Sequence, residues 1–158
     1  MHNPNTSSTS KAEIDKSKLF QDLNVIKHIF HSSYTIYLAF SKKEDRYVAM
    51  KVFPYTSKDK IDPTYLHELL FSQISHPNII SSIEARSKMR GFENGRLFKI
   101  SYILYELAPY GDFQSLISKS TILSNDEKLV RTYFHQLLDA LDYLHSNDMA
   151  HMDLSLGN

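Results

Sequence analysis

The order of the predicted secondary-structure elements constrains the fold of this chain more than any other feature. Segments rich in β-branched and aromatic residues, typical of β-strands, occur three times before the first predicted helix and twice after it. The five predicted strands span residues 24–30, 34–40, 47–53, 79–88 and 97–107. After Gly111 the pattern becomes helical and stays so. Strands and helices segregated in this way predict an α+β fold with an antiparallel sheet.

The first predicted helix begins after the third strand. Asp62 followed by Pro63 is a typical helix start, because Asp caps the free N–H groups and Pro is favoured at the first helical position. The apolar stripe of this helix is predicted at Leu66, Leu70 and Ile74. Gly91 and the pair Asn94-Gly95 predict a hairpin turn between the last two strands.

A long helix is predicted over residues 126–146. Ser124 and Glu127 have the spacing of a capping box, which marks a helix start. One face of this helix is predicted to be buried, with apolar residues at 4-3-4-3 spacing: Val130, Phe134, Leu137, Leu141 and Leu144. Residues 1–17 are rich in Ser, Thr, Asn and Lys and predict a disordered tail.

The composition is that of an ordinary soluble domain. The 158 residues are 42% hydrophobic and 23% charged, and 18 basic residues balance 18 acidic ones. Zero net charge argues against a broad nucleic-acid or membrane surface. The absence of cysteine excludes disulfides, thiolate metal ligands and a cysteine nucleophile. Because the N-terminus is polar, no secretory signal is predicted, and we expect a soluble, cytoplasmic protein whose oligomeric state is not indicated.

Residues 151–158, His-Met-Asp-Leu-Ser-Leu-Gly-Asn, carry the most specific motif. They match the pattern H-R-D-L-x-x-x-N at four of its five defined positions, with Met152 in place of Arg. In that pattern the Asp accepts the proton of a substrate hydroxyl and the Asn holds Mg²⁺. The segment resembles the catalytic loop of protein kinases, with Asp153 and Asn158 at the two functional positions.

Other kinase landmarks appear in the expected order. Residues 48–51, Val-Ala-Met-Lys, resemble the third strand of the kinase N-lobe; residues 76–80 resemble the turn after the regulatory helix; and residues 103–108 resemble the hinge. From about Asp22 onward the chain therefore resembles the first part of a protein kinase catalytic domain. The resemblance implies a five-stranded N-lobe with one helix over about 18–107, a hinge over about 105–111 and a partial helical C-lobe over 112–158.

The resemblance also implies a set of site residues for ATP and Mg²⁺. Lys51 would hold the α- and β-phosphates, Asp153 would act as the catalytic base and Asn158 would ligate Mg²⁺. The remaining nucleotide-site positions are the hinge residues Glu106 and Ala108, the ribose carboxylate Asp112, the gatekeeper Tyr105, and Ile29 and Ala49. His76 and His151 would be structural hydrogen-bonding residues.

Two departures from the kinase pattern concern the nucleotide site. Ile29, His31 and Tyr34 occupy the three glycine positions of the phosphate loop, where side chains are expected to crowd the phosphates. The usual helix spacing places His67 where kinases carry the Glu that pairs with the strand Lys, with Glu68 one residue later. Because one residue on a helix is about 100° of rotation, either Glu68 makes the pair or the pair is missing.

Three functional interpretations remain open. The first is an ATP-dependent protein kinase acting on protein substrates, with Ser155 in the catalytic loop favouring Ser/Thr over Tyr. No Asp-Phe-Gly segment follows Asn158, so the 158 residues alone are expected to be inactive and the long helix to be partly exposed. The second is a pseudokinase or truncated kinase-like binding module, favoured by the missing glycines. The third is an unproductive gene-model fragment.

Overall fold

The computed structural model describes residue 20 and residues 22–31, 33–55, 60–93, 96–120 and 125–158; the side chains at 31, 91–93 and 96–98 are not among those described. The predicted tail 1–17, the turn at Asn94-Gly95 and the capping residue Ser124 lie outside the described residues.

Five strands form one antiparallel sheet, which confirms the predicted architecture. Their spatial order is β1-β2-β3-β5-β4. The strands are β1 Leu23–His31, β2 Thr35–Ser41, β3 Arg46–Pro54, β4 Ser82–Glu93 and β5 Arg96–Glu106. β4 begins three residues later than predicted, because residues 77–79 form a turn in which the Ile79 N–H donates to the His76 carbonyl at 3.1 Å.

Three α-helices are present in the described part of the chain. They are α1 Pro63–Leu70, α2 Phe113–Lys119 and α3 Glu127–Ser146, and a single 3₁₀ turn, Phe71–Gln73, follows α1. Each helix has an aspartate as its N-cap: Asp62, Asp112 and Asp126. In each case the carboxylate accepts a backbone N–H of the first turn, which satisfies a group that has no partner inside the helix.

The core lies on both faces of the sheet. One face carries the buried residues Leu23, Ala39, Val48, Met50, Tyr102 and Leu104. On the opposite face, Phe53 and Ile103 pack with Tyr65 of α1. Phe53 is fully buried, and its ring contacts the ring of Tyr65 at 5.6 Å between centroids. This second face holds α1 against β3 and β5, and it carries the candidate site.

The predicted apolar stripe of α1 was wrong. Leu66 and Leu70 are 49% and 74% exposed, and Ile74 lies beyond the end of the helix. The buried residue of α1 is Tyr65, and Glu68 lies three positions further along, on the same helix face. The helix therefore turns a tyrosine and a carboxylate toward the sheet, and its leucines outward.

The apolar stripe predicted for α3 is not buried along its length, and the helix is partly exposed, as expected for this chain. Only Ala140 and Leu144 are buried, whereas Phe134 at the middle of the stripe is 56% exposed. The reason is that α3 makes no extensive contact with any other helix or strand that the structure describes. Within the described residues, none of the helices is long and apolar enough to cross a membrane.

Candidate active site

Lys51 of β3 and Glu68 of α1 form an ion pair. The Lys51 Nζ contacts Glu68 Oε1, and the two side chains are 24% and 22% exposed. Lys51 reaches α1 because it lies on the same face of β3 as Phe53, which packs under that helix. Of the two alternatives left open by the sequence, a pair with Glu68 or no pair, the structure shows the pair with Glu68. His67 is exposed, and its ring lies 5.1 Å from the ring of Phe71.

Tyr105 of β5 contacts the second oxygen of the same carboxylate. Its hydroxyl donates to Glu68 Oε2 at 2.8 Å. Ala49 is the cross-strand partner of Tyr105, so these two half-buried side chains lie on the face that carries Lys51. Burial, and then the charge of Glu68, raise the pKa of Tyr105 above its usual range, so the hydroxyl remains a donor.

Tyr34 is the residue predicted at the third glycine position, and its side chain extends to the start of α1. The hydroxyl contacts Asp62 Oδ1 at 3.1 Å and Thr64 Oγ1 at 2.8 Å. Its ring packs against Phe53 at 5.0 Å between centroids, and the Lys51 Nζ lies 5.5 Å from the centroid of the Tyr34 ring. The tyrosine thus joins the β1–β2 connection to the N-cap of α1.

The backbone at the loop positions does not require glycine. Neither Ile29 nor Tyr34 has a positive φ. Ile29 falls at a register shift of β1 against β2, between the pairs His28–Tyr37 and Phe30–Ile36, and it is 42% exposed. A bulge of this kind bends the strand and redirects a side chain. The side chain at His31 is outside the described set.

The segment predicted to be the hinge lies at the end of β5 and leads into α2. The Glu106 N–H donates to the Ser81 carbonyl at 3.0 Å. This N–H is therefore not available to a ligand, which leaves the Glu106 carbonyl as the candidate backbone group. Glu106 and Ala108 are both exposed. Gly111 has φ +79, a left-handed conformation that suits glycine, and it turns the chain into the N-cap residue Asp112.

Asp112, the residue predicted to bind the ribose, is also the N-cap of α2. Its Oδ1 accepts the Ser115 N–H at 2.6 Å, and its Oδ2 contacts the Ser115 hydroxyl at 3.1 Å. The backbone N–H bond, followed by the hydroxyl, lowers the pKa of Asp112. The carboxylate is therefore fixed in place and ionised.

The catalytic-loop segment holds Asp153 and Asn158 together. The Asn158 Nδ2 donates to the Asp153 carbonyl at 2.7 Å and to Asp153 Oδ2 at 2.9 Å. Because the amide nitrogen is used in this way, the Asn158 oxygen is the atom suited to a hard cation such as Mg²⁺. Residues 151–158 are all exposed, and Met152 has φ +62. The segment contacts α2, since the Gln114 N–H donates to the Leu156 carbonyl at 2.9 Å.

Both predicted structural histidines take part in local bonds. The Asn78 N–H donates to His76 Nδ1 at 3.2 Å, and the Asp153 N–H donates to His151 Nδ1 at 3.3 Å. The His76 ring also lies 5.0 Å from the ring of Tyr143, which connects the turn after α1 to α3.

The tyrosine contacts to α1 were missed from the sequence. Tyr34 was expected to crowd the phosphates, and Tyr105 was assigned only a position, without a partner. Their hydroxyl partners are 28 to 37 residues away in the chain, so no local pattern announces them.

Comparison with known proteins identifies the family of the chain. The family model for the protein kinase domain matches residues 32–158. CBL-interacting protein kinase 11 of Oryza sativa is 33% identical over 78% of this chain, and testis-specific serine/threonine-protein kinase 4 of Homo sapiens is 33% identical over 84% of it. Serine/threonine-protein kinase PKH2 of Saccharomyces cerevisiae is 49% identical over 36% of the chain.

The chain belongs to the protein kinase family, as its sequence landmarks predicted. It spans 5% of the length of the yeast protein, 23% of the rice protein and 38% of the human protein. The described residues include the five-stranded sheet and the helix that carries the Lys51 partner.

Proposed function

We propose that this chain forms the nucleotide site and catalytic loop of an ATP-dependent protein kinase that phosphorylates serine and threonine hydroxyls. The observation that carries the proposal is the Lys51–Glu68 pair, because a fixed cation beside a hinge is what the phosphates of a nucleotide need. Two of the relatives, the yeast protein and the human protein, are named as serine/threonine-protein kinases, which supports the substrate class.

In this proposal the sheet and the hinge bind the nucleotide. Lys51 neutralises negative charge on the α- and β-phosphates and is kept in place by Glu68. The Glu106 carbonyl and the Ala108 backbone bond the adenine edge, and Ala49 and Ile29 contact its faces. Asp112, already ionised and fixed by Ser115, accepts from the ribose hydroxyls.

The catalytic-loop segment supplies the groups for phosphotransfer. Asp153 orients the substrate hydroxyl and accepts its proton. Asn158 would hold Mg²⁺ through its amide oxygen, since its amide nitrogen donates to Asp153. When bound, Mg²⁺ neutralises the charge that develops on the transferred phosphoryl group. In protein kinases the Asp of an Asp-Phe-Gly tripeptide is a further Mg²⁺ ligand. The sequence contains no such tripeptide, so we propose that phosphate transfer requires a segment that provides this ligand.

One observation favours nucleotide binding without catalysis as a second candidate. The Tyr34 ring lies beside the Lys51 Nζ, where a glycine would leave the space open. A bound phosphate must share this region with an aromatic ring, which favours a binding module over an efficient phosphotransferase.

The test of the proposal is the affinity of the 158-residue chain for Mg·ATP, measured by isothermal titration calorimetry. Lys51→Met should weaken the affinity at least about tenfold, since the charge that meets the phosphates is lost. The matched control is Lys128→Met, which removes an exposed lysine in the first turn of α3. It should leave the affinity unchanged.

Two results would contradict the proposal. The chain could fail to bind Mg·ATP at millimolar concentration, or Lys51→Met could bind as well as the parent chain. Phosphate transfer to a serine peptide is expected to be absent from this chain. Transfer that disappears in Asp153→Asn would show that the Asp-Phe-Gly segment is not required, and transfer to a tyrosine peptide alone would overturn the Ser/Thr assignment.

A further inference from the structure

Glu68 receives one hydrogen-bond donor from each of two neighbouring strands. Its Oε1 contacts Lys51 of β3, and its Oε2 accepts the Tyr105 hydroxyl of β5 at 2.8 Å. A carboxylate with a single partner can rotate about that contact. Two donors on adjacent strands fix both its position and its plane.

The Tyr105 hydroxyl matters because the position of α1 depends on its contacts with the sheet. α1 has eight residues, too few for a stable isolated helix, so its position depends on contacts with the sheet. Tyr65 is its buried apolar contact, and Glu68 is its polar contact with β3 and β5. Without the Tyr105 hydroxyl, the carboxylate could swing away from Lys51 while Tyr65 stayed buried.

We propose that Tyr105 is a positioning residue: its hydroxyl holds Glu68 in the orientation that keeps Lys51 ready to bind phosphates. The inference rests on the proposed function, because Lys51 is the group that meets the phosphates. It goes beyond it by assigning a task to a side chain that touches neither phosphate nor metal. The burial that keeps Tyr105 protonated is consistent with a permanent donor.

A positioning role through Lys51 predicts an effect on phosphates and none on the nucleoside. The probes are therefore Mg·ATP, which contains phosphates, and adenosine, which lacks them, each titrated into the full 158-residue chain by calorimetry. Tyr105→Phe keeps the ring and removes the hydroxyl. It should weaken Mg·ATP binding about fivefold, as expected when part of a charge-assisted hydrogen bond is lost, and leave adenosine binding unchanged.

A double-mutant cycle with Glu68→Gln identifies the residue through which Tyr105 acts. If the tyrosine works by orienting Glu68, then adding Tyr105→Phe to Glu68→Gln should weaken Mg·ATP binding by much less than about fivefold. The matched control is Tyr102→Phe, which removes the hydroxyl of a tyrosine on the opposite face of β5, beside Glu84. It should change neither affinity.

A second variant protects the test against a packing effect. Tyr105→Met also lacks the hydroxyl but differs in shape, and it should weaken Mg·ATP binding by the same factor. Equal losses for Mg·ATP and adenosine, full additivity with Glu68→Gln, or an affinity that follows side-chain size would each overturn the inference. A parent chain that binds neither probe would overturn the proposed function and this inference together. A parent chain that binds both, with Tyr105→Phe unchanged, would overturn the inference alone.

Discussion

The two sides of the candidate nucleotide site differ in how closely they follow the kinase sequence pattern and in how completely they are packed. On the sheet side, the glycine positions are replaced and the helix carboxylate is one residue from its usual place, yet the Lys51–Glu68 pair is formed. On the catalytic-loop side, residues 151–158 follow the family pattern closely, but every one of them is exposed. The side that departs most from the pattern is the one with the more complete packing.

The difference arises from the range of the contacts. In the catalytic loop, the bonds His151–Asp153 and Asp153–Asn158 join residues two and five positions apart. On the sheet side, Glu68 contacts residues 17 and 37 positions away. Hydrogen bonds between residues close in the chain require a particular short sequence. Hydrogen bonds between distant residues require only that the core brings the two partners together, so the sequence around each partner can vary.

The largest expected effect tests the contrast in packing. Phe53 is fully buried between Tyr34 and Tyr65, two residues after Lys51. Phe53→Ala should lower the free energy of unfolding by about 3–5 kcal/mol, because it removes buried area and leaves a cavity. Urea denaturation of the 158-residue chain measures this directly.

The matched change on the other side is Leu154→Ala, at a catalytic-loop residue that is 51% exposed. It should change the free energy of unfolding by less than about 0.5 kcal/mol. Similar losses for the two variants would show that the loop is as well packed as the sheet side, and the comparison would then fail.

A medium effect is expected at Tyr34, which replaces a glycine and joins the β1–β2 connection to α1. Tyr34→Phe keeps the ring on Phe53 and removes the hydroxyl contacts to Asp62 and Thr64. The free energy of unfolding should fall by about 1 kcal/mol, and the α1 amides should exchange with solvent faster.

The control for Tyr34→Phe is Tyr110→Phe, since Tyr110 is 96% exposed. It should be neutral by both measurements. If Tyr34→Phe leaves exchange in α1 unaltered, the hydroxyl contacts to Asp62 and Thr64 do not hold the helix, and only the ring contact with Phe53 remains as a role for this residue.

The sequence was sufficient for the sheet, because alternating β-branched and aromatic residues report strands directly. It was insufficient for α1, where Leu66 and Leu70 suggested the wrong buried face. Since α1 is short, the rotation that buries Tyr65 and presents Glu68 is decided by the core around Phe53 and not by the helix's own pattern. This is why the sequence left open whether Glu68 makes the pair with Lys51 or the pair is missing.

The partial exposure of the α3 stripe shows a related limit of sequence patterns. Apolar spacing predicts which face of a helix is suited to burial, but not whether another element covers it. Within the part of the chain that the structure describes, the only buried residues of α3 are Ala140 and Leu144, in its second half. The bond between Asn158 and Asp153 lies inside the motif of residues 151–158, so a local pattern is enough to indicate it.

The smallest expected effect concerns pH and the support of the catalytic loop. Asp112 caps α2, and α2 bonds the loop through Gln114 and Leu156. Because the Ser115 N–H lowers the pKa of Asp112, its ionised form stabilises the folded chain. A lowered pKa means that this contribution is present above the unfolded value, about 3.9, and is lost as the pH falls through the lower folded value.

Asp112→Asn keeps the helix cap but removes the negative charge, since Asn also caps helices but does not titrate in this range. Urea unfolding at pH 6, 4 and 3 should show a smaller loss of stability below pH 4 for the variant than for the parent chain. Hydrogen exchange should place the difference in α2 and residues 151–158, with the α1 amides unaffected. An equal acid response in both proteins, or a response confined to the sheet side, would show that the loop does not depend on this cap. The loop would then owe its order to its internal bonds, and the sheet side alone would rely on long-range contacts.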